Sequence, residues 1–207
     1  MKARAGSCVV LGLTGGPGTG KSLAAEYMKK KGAAVLSGDD AGKTAVNDNP
    51  AILKKLVRVF GKSILTSDGS LDRRKLGSIV FADPDALLTL NRIVHPRLLR
   101  ILKSRVNRLR DERRRKLIVV DAALIFEWGI ADWCDYILVV TARRKNKLKR
   151  LAHQGLTLKQ ARDRIRSQIP ESDKIKLADH VIRNDGTRSQ LKSNVADFMK
   201  ILSARKD

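Results

Sequence analysis

The chain has 207 residues, 43% hydrophobic and 4% aromatic, with a formal net charge of +22. That length suits one compact α/β domain with a sizeable core, and no apolar run approaches the roughly 20 residues of a membrane helix. Cys8 and Cys134 lie far apart in sequence, each in or near an apolar segment, and read as buried thiols of a reducing compartment without metal-ligand spacing.

The basic start Met1-Lys2-Ala3-Arg4 leads into a short apolar stretch. A signal cleavage there would destroy the motif that follows, so a cytoplasmic location is expected. Val9-Val10-Leu11-Gly12-Leu13-Thr14 reads as a buried strand. Gly15-Gly16-Pro17-Gly18-Thr19-Gly20-Lys21-Ser22 then fits G-x-x-x-x-G-K-[ST], and the amphipathic pattern from Ser22 to Lys29 predicts a helix after it. Glycines let successive backbone N–H groups turn around phosphate oxygens, and the helix N-terminus adds its positive dipole end. Residues Gly15 to Leu23 are therefore expected to bind a nucleoside triphosphate, with Lys21 on the β/γ-phosphates and Ser22 on Mg²⁺.

Gly32 closes the first helix, and Ala33-Ala34-Val35-Leu36 predicts a short second strand. Asp39 and Asp40 stand just beyond it, where a carboxylate near the γ-phosphate can orient an attacking hydroxyl and take its proton. Position favours that role for Asp39 and helix capping for Asp40. From 40 to 116 no strand is evident: Asp68-Gly69 marks a turn, Pro84 and Pro96 look like first-turn helix prolines, and the periodicity is helical. Leu98, Leu102, Val106 and Leu109 form an apolar stripe on a helix with a basic outer face. Arg97 to Lys116 carries ten Lys or Arg against Asp111 and Glu112, and Arg143 to Arg166 carries ten against Asp163. Such a balance fits substrates bearing several phosphates, a polyanion partner or a solvated basic surface. Without aromatic-basic interleaving there is no stacking platform for single strands, so nucleic acid is not expected as a specific partner.

Leu117 to Asp121 and Asp135 to Thr141 are continuously apolar strands, the first ending in an acid that can reach Mg²⁺ through water or cap the next turn. A basic helical stretch from about 144 to 177, a short strand His180-Val181-Ile182 and a helix from about 187 to 204 complete the pattern. Between the last two, Arg183-Asn184-Asp185-Gly186 is either a plain turn or a loop contacting adenine, which would engage Asn184. Strands alternating with helices predict a parallel sheet with crossover helices, in an α/β P-loop fold. No Asn-Lys-x-Asp guanine-reading motif is present, which weakens a GTPase reading.

The order of motifs resembles the dephospho-coenzyme A kinase family along nearly the whole chain. The carriers are Gly12-Leu13-Thr14-Gly15-Gly16, Leu71-Asp72-Arg73 with Val80-Phe81, His95-Pro96 and Leu124-Ile125-Phe126-Glu127. Leu148-Lys149-Arg150-Leu151, Arg164 to Gln168 and Lys174 to Asn184 extend it. The resemblance implies a P-loop NTPase fold with core (about 6–40, 117–142 and 178–207), helical acceptor-binding insertion (about 41–116) and helical lid (about 143–177). It implies ATP-dependent phosphorylation of the ribose 3′-hydroxyl of dephospho-coenzyme A by a monomer, with Asp39 as base and Arg150 from the lid neutralising the transferring phosphoryl. Asp72, Arg73 and His95 would shape the acceptor site, although packing or an Asp72–Arg73 ion pair explains them too. The chain departs from the family's Asp-Ala-Asp with Ser37-Gly38-Asp39, and Gln154 stands near a second lid arginine, which Arg162, Arg164 or Arg166 could replace. Pro17 is unusual for its loop position. The alternatives are a small-molecule or nucleoside kinase with a different acceptor, and a weakened P-loop protein that binds ATP and nucleic acid.

Overall fold

The computed structural model describes residues 8–112 and 114–204. The basic start at 1–4 and the outermost core limits at 6–7 and 205–207 lie outside the described residues. Five parallel strands, β1 (Val9–Thr14), β2 (Ala34–Ser37), β3 (Leu117–Asp121), β4 (Tyr136–Thr141) and β5 (His180–Arg183), form one sheet in the order β2-β3-β1-β4-β5. Continuous apolar runs make such strands because both faces are covered, and all six residues of β1 are buried. On one face Leu11, Leu13, Val119 and Leu138 pack beneath α1 (Lys21–Lys30) and α9 (Arg188–Ala204). On the other, Val10, Ile118, Val120 and Val139 meet Val106, Ile125 and Ile130. The start of the ladder is sealed by aspartates: Asp135 Oδ2 accepts from Val10 N at 2.8 Å, and Asp179 Oδ2 from Ile137 N at 2.7 Å. Those amides would otherwise lie partly buried without a partner.

The insertion consists of α2 (Gly38–Asn47), α3 (Pro50–Phe60), α4 (Arg73–Val80) and α5 (Pro84–Glu112), gathered on their own apolar cluster. Leu98, Leu102 and Val106 are the buried stripe of α5, as their spacing predicts. Among the described residues of this stretch, the extended pairing is one isolated bridge, Leu65 with Leu71, across the Asp68-Gly69 turn. Pro96 corrects the expectation: Pro84 does open α5, but Pro96 lies inside it. Its ring removes the hydrogen bond to the Arg92 carbonyl, a local cost of about 3 kcal/mol that burial of Val94, Leu98 and Leu102 on both sides offsets.

The basic stretch after β4 breaks into α6 (Arg144–His153), α7 (Leu158–Arg166) and α8 (Glu171–Lys176). Among the described residues no helix is long and apolar enough to cross a membrane.

Candidate active site

Strand register brings the chemistry to one edge. Asp121, at the end of β3, lies level with Leu13 of β1 on one side and Ser37 of β2 on the other. Gly15 therefore begins its turn two residues above that level, and Asp39 sits two residues above Ser37. This carboxyl-end edge is where an open parallel sheet binds ligands.

The phosphate loop is built as its glycines require. Gly20 caps α1 at φ 96°, and a Cβ there would lie 2.2 Å from Asn184 Nδ2. Gly18, at φ 74°, would drive a Cβ to 2.7 Å from the Lys147 carbonyl. Only glycine meets both demands, a left-handed backbone and close approach. The amides of Gly18, Gly20, Lys21 and Ser22 have no acceptor among the described residues, and they converge at a helix N-terminus suited to anions. Thr19 is fully buried, its hydroxyl donating to the Gly16 carbonyl at 2.8 Å. Lys21 Nζ forms an ion pair with Asp121, both side chains largely shielded from solvent.

Arg150 is engaged with this loop. Its guanidinium donates to the carbonyls of Gly18 (3.1 Å), Thr19 (3.2 Å) and Asn184 (2.9 Å). In this conformation Arg150 clamps the carbonyl side of the loop. Asn184 is likewise committed, its buried amide donating to the Thr19 carbonyl at 2.7 Å. Next to it, Asp185 accepts from Arg143 N at 2.7 Å and from Asn146 Nδ2 at 3.0 Å, covering the uncapped start of α6. The Arg143 amide, before the Asn146 side chain, holds the Asp185 carboxyl below its ordinary range.

At the second strand's end the cap is Ser37, not Asp40. Ser37 Oγ accepts from Asp40 N at 3.1 Å, while the Asp40 carboxylate pairs with Lys43 at 2.9 Å. The Ser-x-x-Asp spacing carried that signal. The Asp39 side chain is exposed and makes no hydrogen bond or ion pair among the described residues. One unengaged carboxylate thus stands at the same carboxyl-end edge of the sheet as the loop, and Ser37 fixes the helix that carries it.

The other candidates spread outward. His95 packs edge-on against Trp128 with centroids 5.4 Å apart, and burial lowers its pKa. The Trp128 ring in turn fills the space beside Gly38, one residue before Asp39. Asp72 caps α4 by accepting from Arg74 N and Lys75 N, both at 3.0 Å, and its ion-pair partner is Lys75 rather than Arg73. Arg73 reaches the last turn of α2, at Lys43 O and Asn47 Oδ1. It therefore acts about 12 Å along α2 from Asp39, by the rise per residue. Gln154 ends α6 and shares with Gly77, Phe81 and Arg164 a cleft of about 120 Å³ between α4 and α7. Arg164 lies over the Phe81 ring at 5.1 Å.

Three features escaped the sequence reading: Asp185 as a cap in trans, Trp128 as the His95 partner, and Lys174, whose ammonium is buried against Glu127 and Gln168. A buried lysine has no local sequence signal.

Comparison with known proteins finds relatives along nearly the whole chain. The dephospho-CoA kinase family model matches residues 9–190. A dephospho-CoA kinase of Syntrophotalea carbinolica is 38% identical over 192 residues, 92% of this chain and 90% of that protein. Among solved structures, TT1252 from Thermus thermophilus superposes with a TM-score of 0.76 at 30% identity, covering 95% of this chain and 98% of that one. Dephospho-CoA kinase from Campylobacter jejuni does so with a TM-score of 0.61 at 25% identity, covering 92% and 95%. With the family model spanning residues 9–190 and a relative 38% identical over nine-tenths of both chains, the chain belongs to the dephospho-CoA kinase family.

Proposed function

We propose that this kinase transfers the γ-phosphoryl group of ATP to the ribose 3′-hydroxyl of dephospho-CoA with Asp39 as the proton acceptor. Family membership makes the chain an ATP-dependent kinase of coenzyme A biosynthesis. The observation that carries the residue assignment is the exposed Asp39 carboxylate, unengaged at the edge that holds the phosphate loop. In the reaction the 3′-oxygen bonds to the γ-phosphorus, the β–γ bridging bond breaks to release ADP, and the hydroxyl proton passes to Asp39.

Within the loop Gly15 to Leu23, the uncommitted amides of Gly18, Gly20, Lys21 and Ser22 cradle the phosphates, and Lys21 exchanges part of its Asp121 contact for the β/γ-oxygens. Ser22 and, through water, Asp121 would hold Mg²⁺: both are hard oxygen donors of the kind it prefers. Bound there, the ion supplies neutralisation of the phosphate charge. Arg150 acts through the loop it clamps. Arg164, in the cleft beside Gln154, is the arginine best suited to replace the missing lid charge. His95, Asp72 and Arg73 keep the acceptor-side helices in shape, and Asn184 holds the loop toward the adenine side. The reading is of a cytoplasmic monomer without a specific nucleic-acid partner.

The test is ATP turnover with dephospho-CoA beside adenosine, AMP and no acceptor. Transfer to dephospho-CoA alone is expected. Asp39→Asn should lower kcat by about 10²-fold or more with little change in the KM for ATP, and Lys21→Ala should abolish transfer. Preference for another acceptor would assign Ser37 a change of substrate.

A further inference from the structure

We propose that Lys174 is a positioning residue that holds the phosphate loop, the segment after β3 and the base of the lid in one arrangement. The inference rests on the kinase reading above. Lys174 lies in α8, within the stretch expected to move as a lid, yet its side chain is 2% exposed. Its ammonium donates to the Ala123 carbonyl at 2.6 Å and to Gln168 Oε1 at 2.9 Å, and it pairs with Glu127 Oε1 at 3.2 Å. Three donors meet three acceptors.

Two of the acceptors lie in the segment after β3 and the third in the connection between α7 and α8. Ala123 is two residues beyond Asp121, and its carbonyl also accepts from the hydroxyl of Thr14, the last residue before the phosphate loop, at 3.1 Å. Glu127 Oε1 also accepts from Ile169 N at 3.1 Å, which fastens the connection between α7 and α8. Gln168 Oε1 stands 4.0 Å from the position a Gly16 Cβ would take, so its amide faces the mouth of the loop. A neighbouring pair repeats the device: buried Lys147 of α6 meets Glu171 of α8 at 3.0 Å. Hence buried charge ties α8 to the segment after β3 and α6 to α8, whereas α7 carries no such buried pair among the described residues.

A buried ammonium is expensive, and burial pulls its pKa below the ordinary lysine range while Glu127 opposes the shift. A methionine of similar length would fill the site without that desolvation, so stability alone gives no reason for a lysine. The lysine's advantage is geometric. It ties α8 to the segment after β3 and to the α7–α8 connection at hydrogen-bond distance, whereas an apolar side chain lets them slide.

The test compares Lys174→Met, Lys174→Arg and the double variant Lys174→Met/Glu127→Gln, which avoids leaving Glu127 unpaired. Measurements are melting temperature, kcat and KM for ATP and dephospho-CoA, and hydrogen exchange of segments 14–18 and 122–128 with ADP bound. The double variant is expected to melt near the wild-type temperature, lose about tenfold in kcat and keep its KM for ATP within about twofold. Exchange in both segments should rise about tenfold, and Lys174→Arg should recover part of kcat. A folded double variant with wild-type kcat and unchanged exchange overturns the proposal. Failure of the wild type to phosphorylate dephospho-CoA would instead strike the acceptor assignment, and the exchange comparison would still decide the role of Lys174.

Discussion

Arg150 carries three backbone carbonyls on one guanidinium, and two of them belong to the phosphate loop itself. Turning those carbonyls outward is what turns the intervening amides inward, so the residue should affect nucleotide binding before any phosphoryl moves. Charge-assisted bonds of this kind contribute about 1.5–3 kcal/mol each, although the loop relaxes when they are lost. Arg150→Ala is therefore expected to weaken ADP binding by about tenfold or more in a calorimetric titration. Arg150→Lys should recover little, because one ammonium cannot span the fork of carbonyls. An arginine that met only the transferring phosphoryl would lower kcat and leave ADP affinity unchanged. The family resemblance implied Arg150 as a lid arginine at the transferring phosphoryl; it could not tell which side of the loop the side chain serves, because both sides attract a cation. Asp39 and Asp40 were separable only by position, and the serine three residues before Asp40 was the better cap.

Among the elements, α7 depends most on local chemistry. It has nine residues and buries only Ala161, so packing contributes little to it. What starts it is a complete capping box: Thr157 Oγ1 accepts from Gln160 N at 3.2 Å, and Gln160 Oε1 accepts from Thr157 N at 2.9 Å. Gly155, with nothing near its missing Cβ at φ 82°, gives the preceding turn its freedom. Removing the box with Thr157→Ala should cost α7 about 1 kcal/mol. Amide exchange across 158–166 should accelerate several-fold while the melting temperature of the whole chain scarcely moves; a large global loss would mean that α7 is part of the core. The strands, by contrast, were legible to within a residue or two because parallel sheets need unbroken apolar runs, and β3 ends on Asp121 as read. Helix α5 was legible as a stripe but not in extent. Pro96 argues locally for a helix start, and packing along 29 residues outweighs it.

Across the whole molecule, the ties that matter most join residues far apart in sequence. Arg150 meets Gly18 across 132 positions, Asn184 meets Thr19 across 165 and Lys174 meets Ala123 across 51. No window of sequence contains both ends of such a contact, which is why the loop and strands were readable and the network behind them was not. Charge is the other property of the whole. The 43 Lys and Arg face 21 Asp and Glu, and most ion pairs join neighbours on one exposed helix, such as Lys30 with Glu26 and Lys200 with Asp197. Pairs of that type contribute only a few tenths of a kcal/mol and leave the excess unbalanced. Self-repulsion among the remaining cations therefore destabilises the compact state, and it reaches about 30 Å at 0.01 M salt but about 10 Å at 0.1 M. Raising sodium chloride from about 10 mM to about 300 mM should thus raise the melting temperature by several degrees, the reverse of what ion-pair screening alone would do. Sulfate at equal ionic strength should stabilise further, because an anion at the phosphate loop adds binding energy to the folded state, and Lys21→Ala should remove that extra part. A melting temperature that falls with salt would mean that the paired charges, not the unpaired excess, govern the stability of this fold.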